Sequence, residues 1–261
     1  AINYYLSSLK INPKNVELRK RVIALMVSEG RIKEALVQAD FISKVETKNT
    51  DFITLLNVLK NAKNQDFSSV KHKIKNLSTK GLNTFLLPML QAWVLAAEKK
   101  YDEALKILDQ ETNNDGLKTL FSVHGALICE RAGRNQDAIK RYQLALKLRE
   151  NPNLRITILL GNLYERMGIY GKATELYNKF KSERPNTTLL SSAYQRIKFK
   201  KKPAPLHASA KDGVAEALFS LASAIQTQNP FQTLIYGRLA SYVRPSLSIA
   251  NLIVAESLEE N

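Results

Sequence analysis

The sequence predicts an all-α chain, a solenoid of antiparallel helix pairs, and three observations carry that prediction. A small residue returns every 34 or 35 positions, at Ala1, Ala35, Ser69, Ala104, Ala138 and Ala173. A fixed period of that size marks a repeat array in which each unit is one helix pair. Gly30, Gly133 and Gly168 punctuate the turns inside their units, where a helix end takes the left-handed conformation. Apolar residues recur between these points at helical spacing, so each unit supplies two helices whose apolar faces must meet. The 261 residues leave room for about seven and a half units.

In this register the chain opens on a second helix over residues 2–10, with Ala1, Tyr5, Leu9 and Pro13 in repeat positions. Its first-helix partner is missing, so the natural protein is expected to continue upstream, and Tyr4, Tyr5 and Leu9 are expected to face solvent or a neighbouring molecule. A signal peptide cannot be sought in a sequence that starts inside a repeat. Units 16–49 and 50–83 follow, the second decaying to Asp66, Phe67, Ser68 and Ser69. Two clearer units carry Tyr101 to Leu105 and Asn135 to Ile139 at the start of their second helices, and the best-formed unit spans 154–187. A first helix over 188–199 then breaks the period, because Lys200, Lys201, Lys202, Pro203, Ala204 and Pro205 do not continue a helix. The stretch to Gly213 reads as a polar, flexible linker. Ala217, Leu218, Leu221 and Ala222, then Ile235, Leu239 and Ala240, predict one more pair ending near Pro245. Residues 248–259 form a final helix with Glu256, Glu259 and Glu260 outward. The expected organisation is an array over 1–200, a linker over 201–213, and a helix pair with a capping helix over 214–261. The linker fits either a continued stack or a pair that folds back.

The unit at 154–187 resembles a tetratricopeptide repeat. Leu160, Gly161, Tyr164, Ala173, Tyr177, Phe180 and Pro185 stand at the motif's seventh, eighth, eleventh, twentieth, twenty-fourth, twenty-seventh and thirty-second positions. Gly161 and Ala173 let the two backbones approach, Leu160, Tyr164, Tyr177 and Phe180 fill the space around them, and Pro185 ends the second helix. The resemblance implies a right-handed superhelix of such pairs. It also implies a non-enzymatic scaffold that binds a peptide or a partner protein on its concave surface. The family lines that surface with the second, fifth, ninth, twelfth and thirteenth positions of each unit. Carried over, these are Leu86, Met89, Trp93, Ala96 and Ala97 in one unit; Leu120, Val123, Leu127, Glu130 and Arg131 in the next; and Arg155, Ile158, Asn162, Glu165 and Arg166 in the third.

The groove so nominated consists of Leu86, Met89, Trp93, Leu120, Val123, Leu127, Arg131, Arg155, Ile158 and Asn162, with Trp93 as a partly exposed apolar anchor at its centre. The other reading of its apolar part is intramolecular, against neighbouring repeats or the returning C-terminal pair. The family's carboxylate clamp places lysine and asparagine at the fifth and ninth positions of one unit. Here Asn162 is paired with Ile158 and Lys20 with Ala24, so that clamp is not expected. The general style of the array is similar to bacterial tetratricopeptide proteins of the cell envelope. That likeness implies a periplasmic or envelope-associated place, with the cytoplasm as the alternative.

Enzymatic chemistry has no foothold in the pattern. His72, His124 and His207 are scattered, with no second ligand at metal spacing, so neither a metal site nor a cofactor is expected. Cys129, the one cysteine, falls where an apolar residue belongs and is expected in the core. Composition, at 44 % hydrophobic and 24 % charged, is that of a soluble protein, and no apolar run approaches the roughly 20 residues of a membrane span. The net charge of +15 supports an alternative function, binding of nucleic acid or an anionic membrane surface. Its candidate residues are two lysine clusters, Lys71, Lys73, Lys75 and Lys80, and Lys198, Lys200, Lys201 and Lys202. A solvated face on a lysine-rich background is the preferred reading of both clusters over a dedicated patch.

Overall fold

The structure is a computed structural model that describes residues 2–46, 50–110, 114–148 and 153–259. Ala1 and Glu260, which the register used, lie outside the described residues. Among the described residues the chain is all-α, and no helix is long and apolar enough to cross a membrane. It divides into two compact units, one of Ala1–Glu98 with Ala210–Asn261 and one of Lys99–Ser209.

Local sequence sets the helix ends by two different devices. Helices α2 (Val16–Ser28), α4 (Asp51–Lys63), α8 (Asp115–Arg131) and α10 (Leu154–Arg166) are the first helices of their repeats. Each starts behind Asn15, Thr50, Asn114 or Asn153, whose side chain accepts a hydrogen bond from a first-turn amide. The second helices α3 (Ile32–Val45), α7 (Tyr101–Leu108), α9 (Asn135–Lys147) and α11 (Tyr170–Glu183) have no side-chain cap and start directly from a tight turn. Those turns pass through one left-handed residue at the same repeat position: Gly30 at φ 80°, Lys99 at φ 62°, Gly133 at φ 76° and Gly168 at φ 76°, with Gln65 at φ 61° in the corresponding place of the decayed unit. After Gly30, Gln65, Gly133 and Gly168 the following amide reaches back to close the helix end, for example Arg134 to the Cys129 carbonyl at 2.8 Å and Ile169 to the Tyr164 carbonyl at 2.9 Å.

The register of small residues holds in three dimensions. Ala35, Ala104, Ala138 and Ala173 are all fully buried, each near the start of a second helix packed on the first-helix layer. The decayed unit shows as a short α5 (Phe67–Lys73) followed by a 3-10 turn at Ile74–Asn76, with Ser69 only half-buried. Cys129 is buried as expected, and burial pushes its thiol up from the usual range. The opening helix α1 (Ile2–Ile11) leaves Tyr4 exposed and Tyr5 half-buried, but Leu9 is buried, against expectation. The reason is that α1 lays Ile2 and Leu9 against α2.

In the unit of Ala1–Glu98 and Ala210–Asn261, the C-terminal helices fold back. Helix α13 (Ala210–Ile225) begins inside the stretch expected to be linker and packs on α6 (Asn83–Ala97), α4 and α14 (Pro230–Val243). Helix α14 in turn packs on α2 and α4, and α15 (Ser248–Glu259) caps it. The first-helix face of this unit is therefore covered by the chain itself. Nearly every residue of α13 from Ala210 to Ala222 is buried, so this helix has no water-facing side. Trp93, expected to be partly exposed, is 0 % exposed, as are Leu86 and Met89. The indole is enclosed because it meets α13 at Gly213, where a Cβ would collide with the ring.

Two substitutions test this account. Gly213→Ala should overpack the Trp93 contact, cost about 1–3 kcal/mol and red-shift the single tryptophan's emission; unchanged stability and fluorescence would contradict the enclosure. Gln65→Gly should raise stability by about 0.5–1 kcal/mol in urea unfolding, since it relieves a left-handed residue carrying a Cβ.

Candidate partner-binding face

The unit Lys99–Ser209 presents a different kind of covered face. Its first-helix layer is α8, α10 and α12 (Ser191–Lys198), behind which lie α7, α9 and α11. Successive repeats are tied at their edge by two-pronged ion pairs from α9: Arg134 to Asp102 at 2.5 and 3.2 Å, and Arg141 to Asp109 at 2.6 and 2.7 Å. These exposed pairs fix register more than they add stability.

A deeper tie repeats between units. The Tyr142 hydroxyl donates to Glu130 at 2.6 Å, and Arg166 of the next first helix forms an ion pair with the same carboxylate. One unit on, the Tyr177 hydroxyl donates to Glu165 at 2.7 Å, and Arg196 of α12 donates to both oxygens of Glu165 at 2.7 and 2.9 Å. Burial pushes the Glu130 carboxyl up from the usual carboxylate range, against the opposing pulls of Tyr142, Arg166 and His207. Burial and then the Glu165 carboxylate hold the Tyr177 phenol well above its ordinary value, so it remains a donor. Gly161 is required here, because a Cβ at that position would strike the Tyr177 ring and hydroxyl.

Across this layer runs residues 199–209. The chain leaves α12 through Lys200 at φ 48°, with the Lys201 amide closing on the Arg196 carbonyl at 2.8 Å. The segment then continues without helix or strand to Ala210. Three side chains hold its backbone. Tyr170 donates to the Lys200 carbonyl at 2.9 Å, the Asn162 amide to the Ala204 carbonyl at 3.2 Å, and Arg131 to the Ala208 carbonyl at 2.8 Å. The Asn162 amide is oriented for this by Arg166, which donates to its oxygen at 3.0 Å. Ala204, Pro205 and Ala208 are exposed, and Pro203, Leu206 and His207 are half-buried. The strap is thus gripped by its carbonyls and buries little apolar surface.

The nominated groove residues divide between the two units. Leu86, Met89 and Trp93 are interior to the first. In the second, Val123 and Leu127 are buried in α8, Leu120, Arg155 and Ile158 are half-buried, and Arg131 and Asn162 are the two that meet the strap. Of the lysine clusters, Lys71 is engaged by Glu98 at 2.7 Å, Lys73 is half-buried, and Lys75 and Lys80 are exposed and form no ion pair among the described residues. Lys198, Lys200, Lys201 and Lys202 are exposed around the end of α12. Sequence reasoning missed Tyr170 and the strap itself, since a bond to a backbone carbonyl leaves no trace in the residue types of the segment that accepts it.

The family described as Tetratricopeptide repeat matches residues 126–156, the later half of α8, all of α9 and the start of α10. Those residues carry a tetratricopeptide repeat. The matched stretch belongs to the unit just before the near-ideal one, and it contains Glu130, Arg131, Ala138 and Tyr142. None of the curated proteins matches the chain. Tetratricopeptide repeats are protein-interaction modules and are typically not catalytic, so the unit's architecture is one that takes protein partners.

The buried carboxylate makes a pH-dependent prediction. A folded-state value raised above the unfolded one means the folded chain holds the Glu130 proton more tightly, so stability falls as pH rises from the unfolded value of 4.5 through the folded one. Glu130→Gln should abolish that fall, measured as the difference between wild-type and variant urea midpoints across the same pH range. An identical pH profile in both proteins would show that burial does not govern Glu130.

Proposed function

We propose that this chain is a non-enzymatic interaction module whose unit Lys99–Ser209 receives an extended segment of a partner protein on the face now crossed by residues 199–209. One observation carries the reading: Asn162 and Arg131, which repeat position assigns to the groove, already hold the carbonyls of Ala204 and Ala208 in an extended stretch of chain. Side chains that grip main-chain carbonyls read conformation, not sequence. A proline-bearing segment suits them, because the polyproline conformation leaves its carbonyls free, and at 3.1 Å per residue the two contacted carbonyls lie about 12 Å apart. The partner expected is therefore an extended, proline-containing segment similar to Lys202, Pro203, Ala204, Pro205, Leu206, His207, Ala208 and Ser209. The strap competes with it from within the same molecule, at an effective concentration in the millimolar range.

The test replaces residues 201–208 by a Gly/Ser stretch of equal length and offers the peptide of residues 202–209 in solution. The peptide should bind the variant and not the wild type at the same concentration. Asn162→Ala or Arg131→Ala placed in the variant should weaken that binding by about 1 kcal/mol each. Binding should change little with moderate salt, whereas a polyanion site would lose affinity steeply. A folded variant that ignores the peptide sinks the proposal.

A further inference from the structure

A second site lies in the unit of Ala1–Glu98 and Ala210–Asn261, independent of the strap. Ala24, Asp51, Phe52, Leu55, Lys80, Leu82, Asn83, Phe231, Gln232, Ile235 and Tyr236 enclose a cleft of about 360 Å³, at the small end of ligand pockets. Its walls are mostly apolar. Three helices begin on it: α4 at Asp51 and Phe52, α6 at Asn83, and α14 at Phe231 and Gln232. Their positive ends favour an anion. The α6 start carries no side-chain cap; its Thr84 and Phe85 amides close on the Gly81 and Leu82 carbonyls at 3.1 Å, and Asn83 stands at the helix start on the cleft.

Polar groups on this cleft are left without partners, unlike those under the strap. Asn83 is 8 % exposed, and its side-chain amide makes no hydrogen bond among the described residues. Lys80 has no ion pair, and the Gln232 amide and Tyr236 hydroxyl make no hydrogen bond among the described residues. The Tyr236 phenol, pushed up to about 12 chiefly by burial, is a donor throughout the physiological range. The one acidic group, Asp51, is already engaged: its oxygens accept from the Ser78 amide at 2.9 Å and from the Ser78 hydroxyl.

We propose that this cleft binds a small monocarboxylic acid with an apolar body, its carboxylate among Lys80, Asn83 and the helix starts, and its apolar part against Leu55, Phe231 and Ile235. Lys80 offers one ammonium, and beside the fixed charge of Asp51 a second negative charge on the ligand has no partner. A phosphate monoester, largely a dianion at neutral pH, is thereby the poorer fit.

The full chain titrated calorimetrically with octanoate, octan-1-ol and octyl phosphate tests this. Octanoate should bind, and octan-1-ol should bind about tenfold more weakly for want of the charged hydrogen bonds. Octyl phosphate should bind no more tightly than octanoate. Lys80→Met and Asn83→Leu should each cut octanoate affinity about five- to tenfold and leave octan-1-ol unaffected. Should the buried Asn83→Leu change prevent folding, the exposed Lys80→Met variant carries the test alone. Equal binding of octanoate and octan-1-ol, indifference of octanoate to Lys80→Met, tighter binding of octyl phosphate, or no binding of octanoate would each overturn the proposal.

Discussion

The constraint on which most of the first unit depends is that α13 has no side open to water. A helix with Val214, Ala215, Leu218, Phe219, Leu221 and Ala222 buried around its circumference must be enclosed by other elements. The first-helix layer of α2, α4 and α6 supplies that enclosure together with α14. Trp93 marks how tightly it closes, because its ring occupies the space left by the missing side chain of Gly213. The apolar positions that a repeat array would present to a partner are here spent on the chain's own core. Residues 199–209 follow from the same demand, since the chain must travel from the end of α12 to the start of α13.

In the second unit the organising interaction is polar. Glu130 and Glu165 occupy the same repeat position one period apart, and each is satisfied by a tyrosine of its own second helix and an arginine of the next first helix. Removing either partner would strand a largely buried carboxylate, which is costlier than losing an ordinary surface pair. This joins each repeat to its successor through a group that tolerates little displacement. It also fixes the face the strap crosses, because Arg166 serves both Glu130 and the amide of Asn162. Repeat packing and grip on an extended backbone share one side chain.

What could be read from the sequence follows from which interactions repeat. The alanines at Ala35, Ala104, Ala138 and Ala173 were legible because close helix approach admits only small residues at that position. The turn position was legible where it was glycine, and hidden at Gln65 and Lys99, which adopt the same left-handed backbone at a cost in strain. Asn162 and Arg131 were nominated by repeat position alone, and that they meet residues 204 and 208 could not be read, since Ala204 and Ala208 contribute only carbonyls. Trp93 misled for a related reason: repeat position says which face a residue takes and nothing about what covers it. The largely apolar run of Gly213 to Ala222, interrupted by Glu216 and Ser220, was the available signal that this helix would be buried on all sides. The cleft around Asn83 had no signal at all, being made of helix starts remote in sequence.

Magnitudes separate the two covered faces. Burying a Val, Leu or Phe side chain contributes about 1.5–3 kcal/mol, and α13 buries several in succession, so its displacement would cost more than most domains have to spend. A hydrogen bond to a backbone carbonyl contributes about 0.5–1.5 kcal/mol net. Three such bonds reach the strap from Tyr170, Asn162 and Arg131, and Pro203, Leu206 and His207 are half-buried in it. Water or another extended chain can replace bonds of that kind, whereas nothing in water replaces the apolar contacts of α13. The buried trio of Leu86, Met89 and Trp93 accordingly belongs to the stability of the fold.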